Sequence, residues 1–372
     1  MGNTSLIEWG RPVPWFHAAT QANPRFNFAS LGGRFILLAF LGDGRCPAAR
    51  TFIDALAAAG LPQNGQQFVA FAVSLEERDQ QDESVGRVFS PARVFHDPDG
   101  QIAISYGVAE RSDEGLRYSG GWYLIDPMMR VYRKGSLQET DKLLSATRSL
   151  PRAEDHAVEG QSPWAPVLMV PRVLTPGFCE HLIDLYRQGA PNPSGFMREL
   201  GGRTVPIMDT TFKRRSDMHI NDAKIRNMLN NAIAHRLKPE VMKAFQFNAT
   251  RIERYIVARY GAEEKGFFKR HRDNTTSGTA HRRFAVSINL NAEGHDGGEL
   301  CFPEFGTRTY KPPTGGAVVF SCSLLHEATP VTKGERFATL PFLYDDEAAK
   351  IRVQNRDKID SEMLVVGDPP GP

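Results

Sequence analysis

RYIVARYGAEEKGFFKRHRDN (residues 254–274) and RRFAVSINLNAEGHDGGELCFPEFGTRTYKPPTGGAVVFSCSLLHEATPVTKGERFATLPFLYDD (residues 282–346) carry the reactive side chains around which this chain is organised. Three of them stand out: His271 and Asp273 in His-Arg-Asp, and His326 in Leu-Leu-His-Glu. A basic residue, Arg336, follows His326 by 10 positions. The run FFKRHRDN reads as a strand, in which residues i and i+2 share a face, so His271 and Asp273 can point at one metal ion. His326 lies 53 positions beyond Asp273 and closes Ala317-Val318-Val319-Phe320, which reads as a buried strand.

Two imidazoles and one carboxylate on one face of an octahedral ion leave open positions for a cosubstrate and for oxygen, the arrangement of non-haem Fe(II) oxygenases. His-x-Asp by itself carries little weight in a chain with 10 histidines, where a weak surface ion pair explains it as well. Its surroundings decide: Ala-Arg-Tyr-Gly upstream, Gly-Gly-Glu-Leu in the middle, Gly-Gly-Ala-Val-Val-Phe before His326, and Arg336 after it. With these motifs the stretch from Tyr255 to Tyr344 resembles the 2-oxoglutarate- and Fe(II)-dependent dioxygenases of the prolyl-hydroxylase-like branch. The resemblance implies a mainly-β double-stranded β-helix (a jelly roll) with supporting helices. It implies His271, Asp273 and His326 as iron ligands, and Arg336 as partner of the far carboxylate of 2-oxoglutarate, which a planar guanidinium fork suits. It implies Tyr260, in Ala-Arg-Tyr-Gly, as a hydrogen-bonding partner of the same carboxylate. Many prolyl 4-hydroxylases carry Lys in the place of that arginine, which makes Lys333, in a Thr-Lys-Gly-Glu turn, a rival to Arg336. The implied cofactors are Fe(II), 2-oxoglutarate and ascorbate. The implied reaction is C–H hydroxylation of a prolyl-type protein side chain or a small molecule, with release of succinate and CO2.

The 372 residues suffice for two or three domains, and 41% hydrophobic with 24% charged residues is an ordinary globular composition. A formal net charge of +2 gives no argument for a nucleic acid or a membrane as partner. No secretory signal or myristoylation pattern is visible at the start. The longest apolar run, Phe35 to Leu41, is too short to span a bilayer. The four cysteines, Cys46, Cys179, Cys301 and Cys322, form no Cys-x-x-Cys, and a reducing cytoplasm is the expected location.

Residues 1–150 alternate strand-like and helix-like runs, which suggests an α/β layer structure. Phe35–Leu41 and Gln67–Ser74 read as buried strands, and Cys46–Ala59 as a helix stopped at Gly60-Leu61-Pro62. Gly121–Ile125 and Arg130–Tyr132 flank a turn at Asp126-Pro127. FHDPDGQIAISYGV (residues 95–108) and WYLIDP (residues 122–127) resemble the thioredoxin fold and, within it, the peroxiredoxins. Laid on the peroxiredoxin motif, Gly42 replaces Pro, Cys46 replaces Thr, and Ala49 replaces the peroxidatic Cys. Cys46, at a helix start beside Arg45, is the one redox thiol this region offers. A thiol peroxidase using Cys46 and a metal-free interaction protein are therefore the alternative functions.

Residues 151–163 are polar and read as a linker, 164–348 as the oxygenase domain, and 349–372 as a charged tail that frays. Thr175-Pro176 starts a helix with Phe178, Leu182 and Leu185 on its apolar face and Ile183 and Tyr186 beside them. A second helix starts at Asn221-Asp222, with Ile225, Leu229, Ile233 and Leu237 along one side. His219 and His235 have no carboxylate at metal spacing. His281, Arg282 and Arg283, in a polar loop between the first two ligands and the next strand, read as a solvated basic loop or as contacts to an anionic or amide-rich partner.

Overall fold

The computed structural model describes residues 6–61, 63–157, 163–360 and 364–366. Readings on residues 1–5, Pro62, the 158–162 part of the linker, and tail residues 361–363 and 367–372 therefore lie outside the described residues. The chain divides into two compact units: Met1–Trp164 with Pro303–Thr307, and Ala165–Phe302 with Arg308–Pro372.

In the first unit all eight residues of Phe35–Gly42 are buried. Alternate residues of a strand face opposite ways, and both faces here are covered. Phe35, Leu37, Ala39 and Leu41 join the cluster that holds Phe52 and Leu56, whereas Ile36, Leu38 and Phe40 join Phe95, Tyr106 and Tyr123. This strand runs parallel to Phe68–Ser74 and antiparallel to Gly121–Ile125 in a seven-stranded sheet. Helices Pro47–Ala59 and Thr140–Arg148 pack on the first of the two faces. This is the thioredoxin-like α/β fold. Residues 151–157 are not free of it. Ala153 and Glu154 are buried, and Gln67 receives the Ala153 amide at 2.6 Å and gives a hydrogen bond to Glu154 at 2.8 Å.

The second unit is mainly β, with helices against one sheet. A ten-stranded sheet has Leu168–Val170, Ala317–Ser321, Phe284–Asn289, Val331–Thr339, Ile256–Gly261, Ser216–His219 and Asn192–Pro193 as its main path. A five-stranded sheet runs Lys213–Arg214, Phe267–His271, His326–Ala328, Leu300–Cys301, Thr309–Tyr310. Together they form the jelly-roll body. The Pro176–Gln188 helix is capped by Thr175, whose Oγ accepts the Phe178 amide. Its buried face is Cys179, Leu182, Ile183 and Tyr186, so the contact centres on the residues expected beside the apolar face, and Phe178 and Leu185 pack only at the rim.

Asp222 caps the second helix, and Ile225, Leu229, Ile233 and Leu237 are all buried. A spacing of four drifts about 40° per step around a straight α-helix. The drift is taken up because residues Ile233–Leu237 form a wider π-turn before Lys238–Phe245. Pro239, which lacks an N–H and crowds the carbonyl four residues back, explains why the wider turn sits there. For the described residues of the tail the expectation of fraying is corrected. Asp345 caps the helix Asp346–Gln354, its carboxylate accepting the Ala348 amide at 2.7 Å, and Leu364–Val366 pairs in parallel with residues 207–209.

Candidate metal centre and anion pocket

The two strands that bear the histidines lie side by side. Phe267–His271 and His326–Ala328 are antiparallel, with His271 directly opposite His326 and an irregularity between Phe268 and His271. Two details differ from the sequence expectation. His326 does not close the Ala317–Ser321 strand but opens the next one, after a turn. Asp273 lies two residues past the end of its strand, and its place is fixed by its amide, which donates to the Cys322 carbonyl at 2.9 Å.

One ligand atom from each of His271, Asp273 and His326 lies within 4.8 Å of the others. Asp273 Oδ1 is 3.6 Å from His271 Nε2, and Oδ2 is 3.3 Å from His326 Nε2. Each imidazole gives its Nδ1–H to a carbonyl, His271 to Lys269 at 2.7 Å and His326 to Leu324 at 3.0 Å. That tautomer leaves both Nε2 lone pairs turned inward, as a metal ligand requires. Burial pushes His326 down to about 4, with His271 adding to the effect, so the ring is neutral at neutral pH. Burial alone would raise the Asp273 carboxyl, but His326 and His271 hold it below the usual carboxylate range. Two imidazoles that present Nε2 and one carboxylate are the donor set that fits Fe(II).

The triad forms one wall of a cavity of about 470 Å³, its open mouth included. Phe268, Leu300, Phe320 and Ala328 give this wall an apolar surface. Arg336 and Tyr260 lie in the same cavity, and they meet because they are register partners on the antiparallel strands Val331–Thr339 and Ile256–Gly261. The Arg336 guanidinium lies 5.2 Å from the Tyr260 ring centre and donates from Nη2 to Ser287 Oγ at 2.8 Å. Arg336 is 3% exposed, whereas Lys333 of the same strand is exposed and does not line the cavity.

Sequence reasoning missed Arg215, Asp217, Arg254 and Ser287. Arg215 donates to Asp217 at 2.6 Å and to Tyr260 Oη at 3.4 Å. Lys213, buried behind it, donates to Ser194 Oγ at 2.7 Å and to the Gly195 carbonyl. The signal was present: Lys213, Arg215 and Asp217 occur at every second position, which puts three charges on one face of an extended segment. His281 and Arg282 are neither solvated nor open to a partner, a second correction. Both turn inward onto Glu253, with Arg282 at 2.7 Å.

In the first unit Cys46 is the N-cap of Pro47–Ala59 and is partly buried, and Ala49 is fully buried. Arg45 is not dedicated to the thiol, since its Nε pairs with Asp82 at 3.6 Å. Gly42 has φ +71°, a conformation closed to proline, so the peroxiredoxin-type proline cannot stand there in this backbone.

Residues 255–344 match the family model of the 2OG-Fe(II) oxygenase superfamily. Residues 9–134 match that of the AhpC/TSA family, which lies in the thioredoxin-like unit. A PKHD-type hydroxylase of Burkholderia lata is 39% identical over 80 residues, covering 19% of this chain and 35% of that protein. A PKHD-type hydroxylase of a Shewanella species is 28% identical over 153 residues, covering 38% of this chain and 65% of that protein. The chain thus spans about a third of the length of the first of these curated relatives. Among solved structures, a Pseudomonas putida prolyl-4-hydroxylase is 20% identical, with 51% of this chain and 96% of that one covered at a TM-score of 0.38. The oxygenase segment contains His271, Asp273, His326, Tyr260 and Arg336, and among the described residues no helix is long and apolar enough to cross a membrane.

Proposed function

We propose that the second unit is a 2-oxoglutarate- and Fe(II)-dependent oxygenase that turns a substrate C–H into C–OH. One atom of O2 enters the product, and the other enters succinate as 2-oxoglutarate loses CO2. The observation that carries this reading is the triad His271, Asp273, His326, whose ligand atoms converge within 4.8 Å. Iron(II) held there would supply oxygen activation and a seat for the 2-oxo acid head.

The chain's own residues do the rest. Arg336 offers a desolvated fork to the far carboxylate of 2-oxoglutarate, and Ser287 Oγ fixes its orientation. Tyr260 accepts from Arg215, so its own O–H is left to donate to that carboxylate. Phe268, Leu300, Phe320 and Ala328 keep bulk water from the triad. The C–H bond belongs to a prolyl-type protein side chain or to a small molecule. The thioredoxin-like unit serves recognition or positioning, because Ala49 stands where the attacking thiol of a peroxiredoxin would be.

Metal analysis together with succinate release from 2-oxoglutarate tests the proposal, with ascorbate omitted in one arm to settle whether it is needed. Wild type is expected to hold about one iron per chain and to release succinate, and His326→Ala to lose most of both. Full iron content and full turnover in His326→Ala would defeat the ligand assignment.

A further inference from the structure

Arg254 has no part in the chemistry described so far, yet it lines the same cavity. It follows the short strand Arg251–Glu253 with φ of 69°, a left-handed conformation that costs an arginine energy and that functional sites retain more often than others. Its Nε and Nη2 donate to the Leu340 carbonyl at 3.0 and 2.9 Å, and its guanidinium lies 4.5 Å from the Phe342 ring centre. These contacts hold the fork rigid. Nη1 bonds to no described residue, and no carboxylate among the described residues is within ion-pair distance of Arg254.

The neighbouring charges are matched. Arg282 pairs with Glu253 at 2.7 Å, and Arg215 with Asp217 at 2.6 Å. Lys213 does not line the cavity, and burial drives it toward the neutral amine. With iron(II) and dianionic 2-oxoglutarate in place, Asp273, metal and cosubstrate together carry one negative charge, which Arg336 balances. Among the described residues, Arg254 is left as the single unmatched cation facing the cavity. A desolvated guanidinium with an open edge is unfavourable until an anion completes it, and a carboxylate matches its planar fork.

We propose that Arg254 binds a carboxylate of the molecule that is oxidised. The substrate is then a carboxylic acid, presented as a free small acid or as a chain-terminal carboxylate, and not an internal residue of a polypeptide. The inference rests on the oxygenase reading above and names the substrate class of that site.

The test uses the full chain loaded with Mn(II) and N-oxalylglycine, a redox-silent metal and a 2-oxoglutarate mimic, and reads binding by calorimetry. The probes are the proteinogenic amino acids including L-proline, their carboxamides, and glycyl dipeptides with a free C-terminus. At least one acid is expected to bind wild type about thirty-fold or more tightly than its carboxamide, the loss that accompanies an unmatched desolvated charge. In Arg254→Gln that preference should fall to within about threefold, while N-oxalylglycine affinity stays within about threefold of wild type. Retained N-oxalylglycine binding shows that the variant is folded. Arg254→Lys, which keeps the charge without the fork, should retain only part of the preference. Binding confined to free amino acids identifies a small acid, and binding confined to dipeptides identifies a chain terminus. Wild type that binds N-oxalylglycine but no acid, or that binds acid and carboxamide alike, overturns the proposal alone. Loss of N-oxalylglycine in Arg254→Gln also overturns it, by moving Arg254 to the cosubstrate. Wild type that binds no N-oxalylglycine overturns the oxygenase reading and this inference with it.

Discussion

Replacing Arg336 by alanine tests the proposed cosubstrate pocket most directly. The side chain is 3% exposed, and its guanidinium is held by Ser287 Oγ at 2.8 Å beside the Tyr260 ring. Removing one member of a desolvated, hydrogen-bonded charge pair costs about 2–5 kcal/mol. Arg215 reaches the same Tyr260 hydroxyl and keeps that hydroxyl oriented near the carboxylate, which places the expected loss at the lower end. We therefore expect about 2–3 kcal/mol, or roughly 30- to 150-fold weaker 2-oxoglutarate binding, with unchanged metal content. Arg336→Lys retains charge but not the fork and should lose about tenfold. Ser287→Ala removes one hydrogen bond that orients the guanidinium, worth about 1 kcal/mol or roughly fivefold. The assay is anaerobic calorimetry of 2-oxoglutarate on Mn(II)-loaded protein, with Lys333→Ala as the exposed control. Arg336→Ala within about threefold of wild type, or a larger loss in Lys333→Ala, would refute the placement of the carboxylate.

Glu253→Gln should cost about 3–5 kcal/mol of stability in denaturant melts, because it leaves the inward-facing Arg282 without its carboxylate; a change below about 1 kcal/mol would show that the cluster is not structural. His295 gives a pH prediction: burial, helped by Lys311, lowers it to about 4. Its folded value thus lies below the unfolded one, so its contribution is fully present above about pH 6.5 and is lost as pH falls toward 4, the loss amounting to about 2 kcal/mol at pH 5. His295→Gln should flatten the stability profile over that window, and an unchanged slope counts against the assignment. Peroxide consumption by the full chain with a thiol reductant should be slow and the same in Cys46→Ser, whereas fast turnover abolished by that change would make the first unit a second enzyme.

The parts of the site that were legible in sequence are those whose residue types announce their chemistry. His271, Asp273 and His326 are candidate ligands in recognisable surroundings, and their side chains converge; Phe35 to Leu41 is apolar enough to require burial on both faces. What escaped notice depends on pairing between distant segments. Arg254 belongs to no local motif, and Arg215 shows only as one of three alternating charges; the closing of strands around the cavity turns both into parts of one site. The covered face of the Pro176–Gln188 helix has the same origin: Phe178, Cys179, Leu182, Ile183, Leu185 and Tyr186 span an arc of about 160°, wider than the contact, and the sheet beneath selects which of them are covered. The tail read as fraying because it is charged, but Leu364–Val366 draws its order from a backbone ladder with residues 207–209 that side-chain character does not reveal.

The direct opposition of His271 and His326 has a consequence for how the β-body folds. Side chains alternate along a strand, so a slip of one residue in this pairing would bring Arg270 or Glu327 into the place of an imidazole and turn the ligand away. A bound cation therefore rewards only one alignment of the two strands, and it does so across 55 positions of chain, where closing the loop is entropically unfavourable. A metal held there would act as a proofreader of strand alignment, stabilising the correctly paired body over its shifted neighbours in proportion to how tightly it is held.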